Sequence, residues 1–124
     1  MACQSIESIP PTSLLRLSGW WRNVVGFANW APWRPKDGYR HTVEDSVYVN
    51  RVHQRRGLGA ELLGTLVDGA RESGAHVMMA SIEATNETSI ALHARQGFEV
   101  VGTAREVGRK FGRWLDLTMM RLAL

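Results

Sequence analysis

The stretch "VHQRRGLGAELLGTLV", from Val52 to Val67, combines a polar opening that contains two glycines with an apolar continuation. Apolar residues after Gly57 recur at spacings of three and four, which predicts an amphipathic helix. The unpaired N–H groups of a first helical turn, together with the helix dipole, favour an anion. Gly57 and Gly59 would let a phosphate approach the backbone closely. The stretch is neither a Walker A loop nor a G-x-G-x-x-G motif, so an anion-binding loop and an ordinary tight turn both fit it.

Strands and helices alternate around this loop. Their order, β-β-α-β-α-β-β, predicts a mixed α/β sheet. The first 22 residues contain Pro10-Pro11 and several serines and are predicted to be irregular. A loop that contains "GRKFG" is predicted to join the last two strands. The predicted strands cover 24–30, 43–50, 76–82, 98–102 and 114–122, and the predicted helices cover 57–73 and 87–96, the second with Asn86 as its N-cap.

The charge of the chain favours a small anionic ligand over a nucleic acid. The 124 residues carry a net charge of +3 and a pI of about 9.6. Basic residues are spread along the chain among acidic ones, and their densest cluster, Arg51 with Arg55 and Arg56, lies at the glycine loop. A local cluster of this kind suits a phosphate-bearing small molecule better than a duplex, so no nucleic-acid partner is expected.

Neither a membrane partner nor a metal is expected from the sequence. No apolar run reaches the roughly 18 residues that a membrane span requires, and the N-terminus is a poor signal peptide. Cys3 is the single cysteine, so an internal disulfide is excluded and a cytoplasmic location is expected. His41, His53 and His76 show no metal-ligand spacing with a carboxylate or a cysteine.

Four segments taken together resemble the GNAT superfamily of N-acetyltransferases, and in particular the phosphinothricin and methionine sulfoximine acetyltransferases. The segments are "EDSVYV", "QRRGLG", "ATNETSIALHARQGF" and "GRKFGRWLDL". The resemblance extends from about Val24 to Leu124. It implies the GNAT fold, acetyl-CoA as cosubstrate, and acetylation of the amino group of a small amino acid or analogue, such as phosphinothricin, methionine sulfoximine or methionine sulfone.

The resemblance also implies the residues that bind acetyl-CoA. Gln54, Gly57 and Gly59 match the superfamily's pyrophosphate signature, Gln/Arg-x-x-Gly-x-Gly/Ala. The backbone of 47–49 is expected to lie along the pantetheine arm and to polarise the acetyl carbonyl, whereas the Tyr48 side chain is expected to pack in the core. The complete expected cofactor set is Val47, Tyr48, Val49, Gln54, Arg55, Arg56, Gly57, Leu58, Gly59, Ala60 and Asn86.

Two residues are implied as catalytic. Glu44 matches the glutamate that removes a proton from the amine in the resembling enzymes; its alternative is a solvent-facing strand carboxylate. Asp45 is expected on the opposite face because side chains alternate along a strand. His93 matches the position that protonates the departing thiolate, and histidine titrates near neutrality; its alternative is a hydrogen-bonded helix residue at the edge of the core. Substrate contacts are expected from the loop residues Asp37, Gly38 and Tyr39.

The start of the chain is where the resemblance ends. We expect a divergent segment at 1–22 and a GNAT domain at 23–124, without the first strand and the two helices that help to wall the acceptor site in the family. The strand at 24–30 would then expose an edge, which favours a homodimer, as in the resembling enzymes. The alternatives are a monomer in which residues 1–22 fold back as a makeshift strand, and a catalytically impaired remnant that still binds CoA.

Overall fold

The computed structural model describes the backbone of residues 5–9, 14–18, 24–49 and 57–124, and the side chains of 26–48 and 57–124. These residues form seven strands and two helices around a single sheet. The strands are β1 (Ser5–Ile9), β2 (Leu14–Ser18), β3 (Val24–Pro32), β4 (Thr42–Val49), β5 (Val77–Glu83), β6 (Glu99–Lys110) and β7 (Arg113–Ala123); the helices are α1 (Leu58–Glu72) and α2 (Glu87–Arg95).

The sheet has the order β1-β2-β3-β4-β5-β7-β6. All neighbouring strands are antiparallel except β4 and β5, which are parallel and are connected through α1. A parallel pair requires a crossover connection, and a helix is the usual one. Among the described strands, the parallel pair therefore lies near the middle of the sheet, with α1 crossing over it.

The hydrophobic core lies between the sheet and the helices. The apolar stripe of α1 is fully buried, and Met78, Ala80 and Met120 from β5 and β7 face it. Trp30 of β3 packs against this core, where an added Cβ at Gly69 would lie 3.3 Å from the indole ring. The buried residues of the α1 stripe are Leu58, Leu62, Leu63, Leu66, Val67 and Ala70.

Most predicted elements are confirmed. Helix α1 and strand β5 match their predicted ranges to within one or two residues, and residues 77–80 are all buried, as a strand covered on both faces requires. Gly74 and Gly97, which follow the ends of α1 and α2, have φ of 92° and 99°. Such values favour glycine after the last helical turn.

The prediction that residues 1–22 are irregular is wrong for residues 5–9 and 14–18, and the other residues of this segment lie outside the described part of the chain. Strands β1 and β2 lie in this segment, and β2 pairs with β3 over Leu14–Ser18. The edge of β3 is therefore covered, and the prediction that it is exposed is also wrong. The two prolines fall between β1 and β2 in the sequence, where they interrupt neither strand. The parts of this segment that the structure describes contain no helix.

The hairpin of β6 and β7 is longer than predicted. Residues 108–110, predicted as part of a loop, belong to β6, and only Phe111 and Gly112 form the turn. The sequence of residues 108–110 is basic and contains a glycine, which is typical of a loop. It is tolerated in β6 because this strand lies at the end of the sheet order and is largely exposed.

Candidate functional site

Strands β4 and β5 separate in the middle of the sheet. Their parallel pairing covers three positions and ends where Glu44 meets Met79. From there β4 continues to Val49 paired with β3, while β5 continues to Glu83 paired with β7. Both strands thus remain hydrogen-bonded on their outer sides. The arrangement leaves backbone groups on their inner sides for another partner.

The N-terminus of α1 is built to bind an anion. Gly57 is the N-cap with φ of 76°, and the first helical hydrogen bond runs from the Glu61 N–H to the Gly57 carbonyl at 3.1 Å. The N–H groups of Leu58, Gly59 and Ala60 precede that bond and have no acceptor within the helix. No side chain caps them in the described part of the chain. Nothing lies within 4 Å of where a Cβ on Gly57 would be, so a ligand can approach there.

The two faces of β4 have different surroundings. Val43 is buried in the core and Val47 packs against it, so the odd-numbered residues face the helices. Glu44 and Tyr48 lie on the opposite face. Tyr48 is 52% exposed and its ring lies 5.4 Å from that of Phe27, which is also exposed. The alternation predicted for Glu44 and Asp45 is thereby confirmed.

A buried ion pair connects β4 to α2. Asp45 Oδ2 lies 2.7 Å from His93 Nε2, and the two side chains are only 4% and 3% exposed. The other ring nitrogen of His93, Nδ1, lies 2.8 Å from the Ser89 carbonyl oxygen. Both partners are acceptors, so only the doubly protonated imidazolium can donate to both. The geometry therefore favours a charged histidine.

The pKa of His93 reflects the same balance. Burial by itself would lower this pKa, because it disfavours the charged ring. The hydrogen bond and the charge of Asp45, with a smaller contribution from the Ser89 carbonyl, outweigh burial and raise the pKa above its ordinary value. The Phe98 ring packs edge-on at 4.9 Å and excludes water from one side of the imidazole. The pair is thus held in a dry environment in which each partner requires the other.

Helix α2 also contacts the start of α1. Gln96, which follows α2, donates from Nε2 to the Ala60 carbonyl at 3.2 Å. At the other end of α2, the Asn86 side chain accepts the Ser89 N–H at 3.1 Å, which confirms its prediction as the N-cap. Helix α2 is therefore fixed at its first turn and joined both to β4 and to the helix that offers the free amides.

Comparison with known proteins identifies the family. The profile of the Acetyltransferase (GNAT) family matches residues 6–98. This chain belongs to the GNAT family. The match begins within the segment that was expected to diverge, and it includes both strands of the β4–β5 pair and the whole of α1 and α2.

Curated relatives from the GNAT family are N-acyltransferases of small molecules. The chain is 54% identical over 101 residues to the L-amino acid N-acyltransferase MnaT of Escherichia coli, a match that covers 82% of this chain and 59% of the relative. The same figures describe its similarity to the L-methionine sulfoximine/L-methionine sulfone acetyltransferase of Pseudomonas aeruginosa. The phosphinothricin N-acetyltransferase of Streptomyces coelicolor is 44% identical, with 77% of this chain and 56% of the relative covered. The chain thus spans somewhat more than half the length of these relatives.

Solved GNAT structures share the fold. An acetyltransferase from Salmonella typhimurium, solved with acetyl-CoA, superposes with a TM-score of 0.86 at 50% identity. The superposition covers 90% of this chain and 64% of the other. The GNAT fold implied by the sequence resemblance is therefore confirmed.

The predicted cofactor residues of this GNAT chain are only partly described. Gln54, Arg55 and Arg56 lie outside the described residues, as does the side chain of Val49. The side chain of Leu58 is buried in the core, so its backbone N–H is the group that a ligand can reach. The prediction that Tyr48 packs in the core is wrong, because its ring stands on the exposed face of β4 beside Phe27.

The predicted substrate residues form a short 3-10 helix, Asp37–Tyr39, between β3 and β4. Tyr39 packs edge-on against Trp33 at 5.6 Å, and Asp37 pairs with Arg40 at 3.5 Å on the surface. Gly38 has nothing within 4 Å of where a Cβ would lie. These contacts order the segment, and its role in binding a substrate stays a prediction.

Sequence reasoning missed the role of Asp45. Strand alternation placed it correctly on the face away from Glu44, but its partner lies 48 residues further along the chain. The one available signal was that a charged residue occupies a position that the valines at 43 and 47 mark as core-facing. A buried carboxylate requires a donor, and His93 of α2 is that donor.

The described residues contain no group of three or more His, Cys, Asp or Glu side chains placed to hold a metal ion. Within the same residues, neither helix is long and apolar enough to cross a membrane.

Proposed function

We propose that this chain transfers the acetyl group of acetyl-CoA to the amino group of a small amino acid or analogue, such as methionine sulfoximine, methionine sulfone or phosphinothricin. The observation that carries the proposal is the combination of the separated β4–β5 pair with the free amides at the start of α1. The names and identities of the relatives supply the acyl donor and the class of acceptor.

In the proposed reaction, the amides of Leu58, Gly59 and Ala60 bind the pyrophosphate, assisted by the α1 dipole. Gln54, Arg55, Arg56 and Asn86 stay predicted contacts of the same ligand. The inner backbone groups of β4 from Val47 to Val49 contact the pantetheine arm and orient the acetyl end. Acetyl-CoA, when bound, supplies the acetyl group already activated as a thioester.

Glu44 is the proposed general base. The amine must lose a proton before it can act as a nucleophile, and a carboxylate within reach, directly or through water, can accept that proton. Glu44 lies at the last paired position of β4 and β5, on the face away from the helices. An acceptor bound on that face would approach the gap between the strands beside this carboxylate. Asp37, Gly38 and Tyr39 are the proposed acceptor contacts.

His93 is the predicted proton donor to the departing thiolate. Both of its ring nitrogens are hydrogen-bonded within the protein. Direct donation therefore requires the N–H of one ring nitrogen to leave its acceptor, Asp45 or the Ser89 carbonyl. The step also depends on the Asp45–His93 pair, because the charge of Asp45 holds the proton on the ring. The prediction has a definite consequence: weakening the pair must alter the proton transfer as well as the fold.

The test is an acetylation assay with the purified chain, acetyl-CoA and each of the three acceptors. Mass spectrometry should detect the N-acetylated product, and a thiol reagent should detect an equal amount of free CoA. Acetyl-CoA binding without product would support the second candidate, a CoA-binding remnant. One observation favours that candidate: the described residues leave Phe27 and Tyr48 exposed on the Glu44 face, so they do not wall the proposed acceptor site there. Absence of both binding and product would contradict both candidates.

A homodimer in the cytoplasm is part of the proposal. The exposed edge of β3, on which the dimer prediction depended, is covered by β2. Support comes instead from β6, which ends the sheet order and exposes Val100, Val101 and Val107 by more than half. Strand edges with exposed apolar side chains favour association. Light scattering of the purified chain would measure the dimer, and cell fractionation would measure the location.

A further inference from the structure

Asp45 occupies a particular place in the sheet. It is the first residue of β4 after the last position paired with β5. From this residue onwards β4 is held on one side only, by β3. Its side chain is nevertheless almost completely buried and reaches a donor on a different element, His93 of α2. The pair thus joins β4 to the rest of the protein where the parallel ladder stops.

The Asp45–His93 pair is part of a series of contacts that connects the two elements proposed to bind acetyl-CoA, β4 and the first turn of α1. His93 is fixed by the Ser89 carbonyl and packs against Phe98. Three residues after His93, Gln96 donates to the Ala60 carbonyl in the first turn of α1. Helix α2 is therefore hydrogen-bonded to the strand proposed to orient the acetyl end and to the turn proposed to bind the pyrophosphate.

A buried carboxylate is a costly way to fill this position. An apolar residue there would continue the pattern of Val43 and Val47 without any desolvation cost. A hydrogen-bonded ion pair differs from apolar packing because it specifies distance and direction between its partners. Such a device suits a place where one strand must be held at a defined separation from its neighbour.

We propose that Asp45 is a positioning residue, whose bond to His93 fixes β4 where it separates from β5 and thereby sets the gap in which the acetyl end of acetyl-CoA is held. The proposal depends on the proposed function for the identity of the ligand. The mechanical part, the restraint of β4 by the pair, requires no ligand.

The first experiment measures that restraint in the free protein. Amide hydrogen exchange is compared in Asp45→Asn, His93→Gln and His93→Leu. The amides of residues 45–49 should exchange about tenfold faster in Asp45→Asn and His93→Leu, while those of 62–67 in α1 stay unchanged, because a lost charged hydrogen bond acts locally. His93→Gln should retain most of the protection, since its amide still donates to Asp45. Asp68→Asn, an exposed carboxylate on α1 that bonds only Arg71 among the described side chains, is the matched control.

The matched pair at position 93 separates positioning from packing. Leucine fills the site with apolar volume, whereas glutamine supplies a donor. If the histidine only packs, the leucine variant should keep β4 protected at least as well as the glutamine variant, and that result would overturn the proposal. Uniformly faster exchange across β4, β5 and α1 would overturn it as well, because it would indicate general destabilisation.

The second experiment measures acetyl-CoA affinity by calorimetry at a temperature at which every variant is folded. Asp45→Asn should weaken acetyl-CoA binding about tenfold. The Asp45→Asn/His93→Leu double variant should bind acetyl-CoA no more weakly than the single variant with the lower affinity. Asp68→Asn should bind as the unsubstituted chain does. Unchanged affinity in Asp45→Asn would overturn the link to the ligand. If the unsubstituted chain binds no acetyl-CoA, the proposed function fails, and the exchange experiment still decides whether the pair restrains β4.

Discussion

The two faces of β4 differ in almost every physical respect. On the helix side, Val43 and Val47 join the core and Asp45 is buried in an ion pair. On the other side, Tyr48 is half exposed and its ring lies tilted against that of Phe27. No described residue forms a hydrogen bond or ion pair with the Glu44 side chain. One face is thus complete within the described residues, whereas the other presents aromatic and acidic groups to whatever approaches. The helix side of β4 therefore stabilises the fold, and the proposed chemistry lies on the opposite side of the same strand.

Substitution of Glu44 should have the largest effect on catalysis and little effect on folding. If Glu44 accepts the proton of the amine, Glu44→Gln should lower kcat about 10²–10⁴-fold. Acetyl-CoA affinity should stay near that of the unsubstituted chain, because the amides of α1 are untouched. Steady-state assays and calorimetry measure the two quantities. Ser46→Ala, on the same face, is the control, and full turnover by Glu44→Gln would reduce Glu44 to a surface carboxylate.

Truncating one large side chain on each side of β4 should show how much each side contributes to the free energy of unfolding. Leu63 is fully buried on α1, so Leu63→Ala should lower the free energy of unfolding by about 2–5 kcal/mol. Tyr48→Ala should lower it by less than about 1 kcal/mol, because an exposed aromatic pair contributes little. Denaturant titration measures both. Equal losses would mean that the Tyr48 face is covered, for example in an assembly of copies.

Replacement of Gly57 should weaken the binding of acetyl-CoA. Valine strains the backbone at φ of 76° and adds bulk where a phosphate would approach. Gly57→Val should reduce the free energy of acetyl-CoA binding by about 1–3 kcal/mol, the range for unsatisfied polar contacts. Gly74→Val is a matched control, since Gly74 has φ of 92° and open space at the other end of α1. Both variants should lose stability, but only the first should lose affinity; equal affinities would remove the turn from the site.

The helix side was largely predictable from the sequence because its signals are local. The spacing of apolar residues defined α1, an unbroken apolar run defined β5, and Asn86 marked the start of α2. Alternation also placed Glu44 and Asp45 on opposite faces. The Asp45–His93 bond was not predictable in this way, because it joins residues 48 positions apart and depends on how α2 packs against the sheet.

The remaining errors come from strands with weak patterns. Strands β1 and β2 have five residues each and flank a proline pair in the sequence. They depend on strand pairing, of β1 with β2 and of β2 with β3. The end of β6 is basic and exposed, so its sequence resembles a loop, and its pairing with β7 determines its structure. Tyr48 is expected from the sequence to pack in the core, although its even position in β4 places it on the open face.

The smallest expected effect is the pH dependence that the buried pair gives to folding. Asp45 from β4, the Ser89 carbonyl from α2 and the Phe98 ring are the groups that face His93. Burial lowers the pKa of His93, but the hydrogen bond and charge of Asp45, together with the Ser89 carbonyl, outweigh it and raise this pKa above the ordinary value of 6.5. A histidine whose pKa is higher in the folded state binds its proton more tightly there than in the unfolded chain. Its stabilising contribution is therefore fully present below pH 6.5 and is lost as the pH rises through the raised pKa.

Thermal unfolding of the unsubstituted chain and of His93→Gln between pH 5.5 and pH 9 should give curves that differ most at the acid end and converge at the alkaline end. Other groups titrate in both proteins and cancel in the difference. A difference that is constant with pH would mean that folding leaves the pKa of His93 unshifted. A difference that grows towards alkaline pH would mean that the histidine is neutral in the folded chain and that the pair acts as an uncharged hydrogen bond.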